Sequence, residues 1–243
     1  MTARAALAIL AVATAAPSSV PAGATKVEVP FVGCAADGQV GPLEAPRAGQ
    51  PPRLAADAAA RLAFYGSAHI AVLAPRGWRC FEAYGSSGSF LLVVPAQIRF
   101  EDVVGRGPDR GGPFVMIAER FGGTSGRFDV AEAIARYFPS HMAFARAVAD
   151  EGLMDRPLPE GPYPGDSLDR RSETEVRVVT PGGREGFGTA PGVAVEDRPI
   201  YGATLLLPDQ EFTLVTVRVR VPNDLEPMAT VIIDDATSRY HSM

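Results

Sequence analysis

The chain has 243 residues, a formal net charge of −5 and 47% apolar residues. That mild acidity gives it no electrostatic reason to seek nucleic acid or an anionic membrane face. Lys26 is its one lysine, so a G-x-x-x-x-G-K-[ST] phosphate loop is excluded.

The first element is a leader. Met1-Thr-Ala-Arg4 is a short positive head, Ala5–Ala16 is apolar, and Ala22-Gly23-Ala24 is an A-x-A cleavage site. This layout predicts a signal peptide over residues 1–24, cut near Thr25, and hence a periplasmic or secreted protein. The apolar run is shorter than the roughly 20 residues a bilayer span needs, and no later stretch approaches that length, so an integral membrane protein is not expected. A lysine Schiff base would have to use Lys26, two residues into the exported chain, which is a poor place for catalysis.

Cys34 and Cys80 are the two cysteines of the exported part. In an oxidising compartment an isolated pair is most simply a disulfide. Two competing readings exist. The cysteines could be separate buried thiols, or Phe31-Val32-Gly33-Cys34 could be a lipobox that makes Cys34 a lipid-anchored first residue. The phenylalanine, the charged Lys26 and Glu28, Pro30, and the distance from the apolar run oppose the lipobox.

Lys26–Phe31 alternates like a short strand, and Asp37-Gly38 and Gly41-Pro42 are turns. After Pro51-Pro52, the residues Leu54, Ala58, Leu62 and Tyr65 share a helical stripe that Gly66 can stop. Ile70–Ala74, Cys80–Tyr84, Phe90–Val94 and Phe114–Ala118 read as strands, with Gly85-Ser-Ser-Gly88 as a hairpin turn. Asp129, with Glu132 three residues on, predicts the capped start of a helix whose buried side is Val130, Ile134 and Tyr137. Pro139 breaks it, and Ser140 can cap a second helix that ends at Gly152.

Residues 153–171 carry four prolines and read as a loop, or as a linker between two lobes. Glu173–Thr180, Ile200–Leu207 and Phe212–Val221 then form an antiparallel set. A last helix has Leu225, Ala229 and Ile232 inward. The expected class is α+β: antiparallel hairpins and a meander packed against several helices, with one disulfide. Residues 25–243 are expected to form a single domain, with two lobes, 25–152 and 172–243, as the alternative.

Chemistry-bearing residues are sparse. His69, His141 and His241 show no ligand spacing, so no metal site and no cofactor are expected. A serine hydrolase would need Ser86 or Ser87 with His69 or His141 as base, yet Gly85–Ser89 is not G-x-S-x-G and turns favour the same residues. Glu82, Glu101, Asp102, Glu173 and Glu175 offer carboxylates, but no spacing singles out a pair. Arg218 and Arg220 are expected on a solvated strand face, across the sheet from Glu173 and Glu175. The other option for them is an arginine pair gripping an anion.

Ala74–Gly85 gathers Arg76, Trp78, Phe81 and Tyr84 beside Cys80. Arg76, Trp78 and Tyr84 are the expected binding residues of an aromatic and arginine surface, suited to an unknown protein or envelope polymer. The competing reading packs Trp78 and Phe81 into the core.

Val29-Pro-Phe-Val-Gly-Cys-Ala-Ala-Asp-Gly-Gln-Val-Gly-Pro42 and Ala71-Val-Leu-Ala-Pro-Arg-Gly-Trp-Arg-Cys-Phe-Glu-Ala-Tyr-Gly-Ser86 resemble segments of an uncharacterised family of hypothetical secreted proteins from Gram-negative bacteria. The resemblance implies export and pairing of the two cysteine segments, and no reaction. The leading expectation is an exported, envelope-associated binding or accessory protein. A periplasmic or secreted hydrolase and an inhibitor or immunity-type partner are the alternatives. A histidine within hydrogen-bond reach of a serine and an acid in a cleft would favour the hydrolase.

Overall fold

The computed structural model describes residues 26–103, 111–190, 192–208 and 211–242. The leader expected over residues 1–24 lies outside the described residues. Strand residues outnumber helical ones, and both classes share one architecture.

The first part of the chain is short strands: β1 (Lys26–Glu28), β2 (Phe31–Gly33), β3 (Ala36–Gly38) and β4 (Arg53–Ala55). Next come α1 (Ala56–Arg61), β5 (Leu62–Gly66) and β6 (Ala71–Pro75). The helical stripe expected from Leu54 to Tyr65 is therefore corrected. Helix α1 has six residues and gives way to β5 at Leu62. Leu62, Ala63, Phe64 and Tyr65 are all buried. A surface helix would bury one stripe of that run, whereas a strand covered on both faces buries all of it. β2 and β5 pair in parallel, and β5 and β6 pair antiparallel, as a three-stranded sheet.

β7 (Trp78–Gly85), β8 (Gly88–Pro95) and β9 (Phe114–Phe121) follow as antiparallel neighbours, with α2 (Phe100–Val103) between the last two. Gly88 is the one residue type that suits its place. Its φ is +137°, and a Cβ there would lie 2.1 Å from the Glu119 carbonyl oxygen.

Helix α3 (Arg127–Tyr137) buries Val130, Ile134 and Tyr137 as the spacing predicts. Asp129 does not cap it. The helix starts two residues earlier, and the Asp129 carboxylate takes Arg120 at 2.9 Å instead. Ser140 falls in a 3-10 turn, Pro139–His141, which leads into α4 (Met142–Asp150) without a side-chain cap.

β10 (Ser167–Arg170) adds a strand inside the expected loop. β11 (Glu175–Thr180), β12 (Ile200–Leu207), β13 (Thr213–Arg220) and α5 (Glu226–His241) complete the chain. The large sheet runs β10-β11-β12-β13-β9-β8-β7-β3. It is mixed, because β3 joins β7 in parallel while the other neighbours are antiparallel. β9 pairs with β13 over eight residues, so one sheet draws strands from both sides of the Pro-rich loop.

Alternation along the strands divides this sheet into two buried faces. Leu91, Val93, Val115, Ile117, Leu205, Val215 and Val217 point to α5 and the small sheet, forming the largest core cluster. The opposite face carries two separate apolar clusters. One holds α3, α4 and Leu214; the other holds Val94, Phe114, Val193 and Ile200. The disulfide Cys34–Cys80 joins the chain after β2 to β7, with Cα atoms 5.4 Å apart. It lies on the α5 side. No helix among the described residues is long and apolar enough to cross a membrane.

Candidate functional site

The residues expected to form an aromatic and arginine surface around β7 each make contacts of their own. Arg76 is exposed, but its guanidinium donates to the carbonyls of Leu62, at 3.0 Å, and Ala59, so it clasps the end of α1. Trp78 is half-buried against the large core cluster. Tyr84 donates to the Gly41 carbonyl, and its ring lies 4.9 Å from that of His69. Trp78 and Tyr84 are six residues apart on one strand, roughly 20 Å at the usual rise.

The hydrolase constellation does not assemble among the described residues. His69 Nδ1 is 2.8 Å from Glu82 Oε1, and Glu82 is fully buried. No serine hydroxyl is hydrogen-bonded to this pair, and the nearby Ser89 Oγ is buried without a partner. Ser86 lies in the β7–β8 turn, where Gln39 Oε1 accepts its N–H. His141 stacks edge-on to Phe212 at 5.2 Å. His241 Nε2 is 2.6 Å from Glu175 Oε2, far from either serine in the sheet order. No group of three or more His, Cys, Asp or Glu side chains among the described residues is placed to hold a metal ion.

The chemistry the fold does build lies on the other side of the large sheet. Leu214, Thr216, Arg218 and Arg220 share one face of β13, as alternation requires. That face is covered rather than solvated, which corrects the expectation for the two arginines. Arg218 is 7% exposed and Arg220 0%. β12 separates β13 from β11, and Glu175 with Arg177 points the opposite way, toward α5. There Arg177 bonds Glu175 at 2.6 Å and Asp234 at 2.9 Å.

The two arginines differ in their surroundings. Arg220 Nε donates to the Gly112 carbonyl at 2.9 Å and Nη1 to that of Ala194 at 2.8 Å. Its Nη2 faces Glu196 at 3.6 Å, and its guanidinium sits over the Phe114 ring. These contacts make it a clamp for the loop before β12. Arg218 donates to the Ala190 carbonyl at 2.5 Å and meets Met116 Sδ at 3.7 Å. No carboxylate pairs with it among the described residues. Burial, and then the nearby charge of Arg120, push its pKa down to about 10, so it stays cationic at neutral pH.

Arg218 lines a cavity of about 580 Å³ between the two apolar clusters. Its floor is Ala118, Thr204 and Thr216, which lie side by side in the β9–β13–β12 register. Helix α3 roofs it with Ala133, Arg136 and Tyr137, and the loop before β12 closes one side with Phe187 and Val193. Gly202 makes room for Phe187, because a Cβ there would lie 2.5 Å from its ring. Asp166 holds that loop in place. Its carboxylate accepts the Thr180 hydroxyl at 2.7 Å and the Phe187 N–H at 2.9 Å.

Two further polar groups at the cavity are incomplete. Thr204 Oγ1 and Tyr137 Oη are buried with no hydrogen-bond partner. Burial, reinforced by the Asp166 charge, raises the Tyr137 pKa, so its hydroxyl remains a donor. At the rim, Arg120 pairs with Asp129 at 2.9 Å. Arg136 pairs with Glu132 at 3.0 Å and lies 3.8 Å over the Tyr163 ring.

The sequence reading missed most of this site. The alternation of Thr216, Arg218 and Arg220 was visible, but the cover over that face was not. Thr204, Tyr137 and Phe187 carry no motif. No family model, no curated protein and no solved structure matches the chain.

Proposed function

We propose that this is an exported binding protein that takes a small anionic molecule into the cavity beneath α3, with Arg218 as counter-ion. The observation that carries this reading is the Arg218 guanidinium itself. A buried cation without a carboxylate is costly, and proteins normally pair it. Here it lines an open volume within the usual range for small-molecule sites, beside two unpartnered hydroxyls. Export is supported by the leader layout over residues 1–24 and agrees with the Cys34–Cys80 disulfide. The envelope is then the setting in which the ligand would be met.

The test is a thermal-shift screen of small organic anions against the purified, disulfide-bonded protein and its Arg218→Met variant. Anions that raise Tm in the parent and not in the variant support the reading. A parent that no anion stabilises, or a variant stabilised equally, refutes it.

A further inference from the structure

We infer that the ligand is a monocarboxylate on an apolar or aromatic body, rather than a phosphate, a dianion or a bare small anion. This rests on the reading of the cavity as an anion site and narrows it to one chemical class.

The first argument is charge. Four arginines and three carboxylates line the cavity, which leaves one cation in excess. Arg120 and Arg136 are already held by Asp129 and Glu132 at the rim. The excess charge at depth is Arg218, which matches one negative charge. A phosphate or dicarboxylate would bring a second negative charge that Arg218 does not balance, while Arg120 and Arg136 are already paired.

The second argument is shape and donor count. A guanidinium presents a planar fork that suits a carboxylate. Two Arg218 nitrogens are already engaged with Ala190 and Met116, so it has limited capacity left for an anion. That remaining capacity serves two oxygens better than three or four.

The third argument is the wall. Ala118, Ala133, Phe187, Val193 and Leu214 surround the polar end. A volume of about 580 Å³ is far larger than acetate or inorganic phosphate needs. Filling the remainder with apolar surface contributes about 25 cal/mol per Å² buried, and a bare ion forgoes that gain.

The experiment is isothermal titration of the disulfide-bonded protein with four probes. They are 3-phenylpropionate, phenyl phosphate, 3-phenylpropan-1-ol and acetate. The expected result is that 3-phenylpropionate binds at least tenfold more tightly than each of the others. Arg218→Met should weaken that probe at least tenfold and leave the alcohol unchanged. Arg218→Lys, which keeps the charge and loses the fork, should fall between. Phenyl phosphate or acetate binding as tightly as 3-phenylpropionate, with dependence on Arg218, overturns the monocarboxylate inference and leaves the anion site standing. Binding of the alcohol alone, or of no probe, overturns both.

Discussion

Arg218 and Arg220 are two residues apart and both buried, yet they have opposite energetic roles. Arg220 donates to two carbonyls and faces the half-buried Glu196, which also pairs with Arg198, so removing it strands two acceptors. Leaving acceptors unsatisfied in this way typically costs about 1–3 kcal/mol each. Arg218 has one carbonyl and no acid, so its removal forfeits one hydrogen bond, about 1 kcal/mol, and relieves the burial of a charge. Urea denaturation should therefore show Arg220→Met strongly destabilised and Arg218→Met at least as stable as the parent when no ligand is present. A structural arginine at 218 would give the reverse. Glu119 supplies a second prediction at this scale. Burial, reinforced by the negative charge of Glu82, raises its pKa above the ordinary carboxylate value of 4.5, against the pull of its hydrogen bond from Tyr240. A raised folded-state pKa means that the neutral form is favoured on folding. The associated stability is complete below the ordinary value and is lost as pH rises through the raised one. Glu119→Gln keeps an acceptor for Tyr240 and removes the titration. Its Tm advantage over the parent should be small at low pH, grow through the weakly acidic range and then level off. A pH-independent gap would refute the assignment.

At the scale of elements, what could be read from the sequence followed from how local each cause is. β7, β8 and their Gly85–Gly88 turn are written in a short alternating run, and they form as expected. β11 and β13 likewise show their alternation, and α3 shows its Val130, Ile134 and Tyr137 stripe. β5 was hidden because Leu54, Ala58, Leu62 and Tyr65 satisfy a helical period by coincidence, and only the two-sided cover of Phe64 and Ala63 decides for a strand. The cavity was hidden for a related reason. Its floor is on β9, β12 and β13, its roof is α3, and its side is a loop after β11, so no window of sequence contains it. The loop is the element whose position is easiest to test. Asp166 accepts the Phe187 N–H and the Thr180 hydroxyl, which in turn accepts the Gly188 N–H at 2.9 Å. Asp166→Ala leaves these donors short of partners, at about 1–3 kcal/mol. Hydrogen exchange of residues 181–190 should then quicken on the order of tenfold or more, while β12 and β13 stay protected. Unchanged exchange in that segment would show that Phe187 is held by packing alone.

The whole molecule sets the disulfide and the cavity on opposite faces of one sheet. Cys34 and Cys80 belong to the core shared with α5 and the small sheet, whereas Thr204, Thr216 and Arg218 face α3. The bridge spans 46 positions of sequence, and closing a loop of that size typically stabilises a protein by about 2–4 kcal/mol, mainly by restricting the unfolded chain. That contribution acts on global stability and does not shape the far face. Replacing both cysteines by alanine should therefore lower the urea midpoint by an amount equivalent to about 2–4 kcal/mol. The Tm increment produced by 3-phenylpropionate should survive in the same variant, measured at a temperature where it is folded. Loss of the increment with stability intact would mean that the bridge positions β9 and β13 through β7 and β8, and that the two faces are coupled across the sheet. Intact mass of the protein recovered from a Gram-negative host completes this test, because the bridge must exist in the native compartment. A mass that begins at Thr25 and rises by two hydrogens on reduction is the expected result. A lipidated mass beginning at Cys34 would remove the bridge and place the protein at a membrane instead.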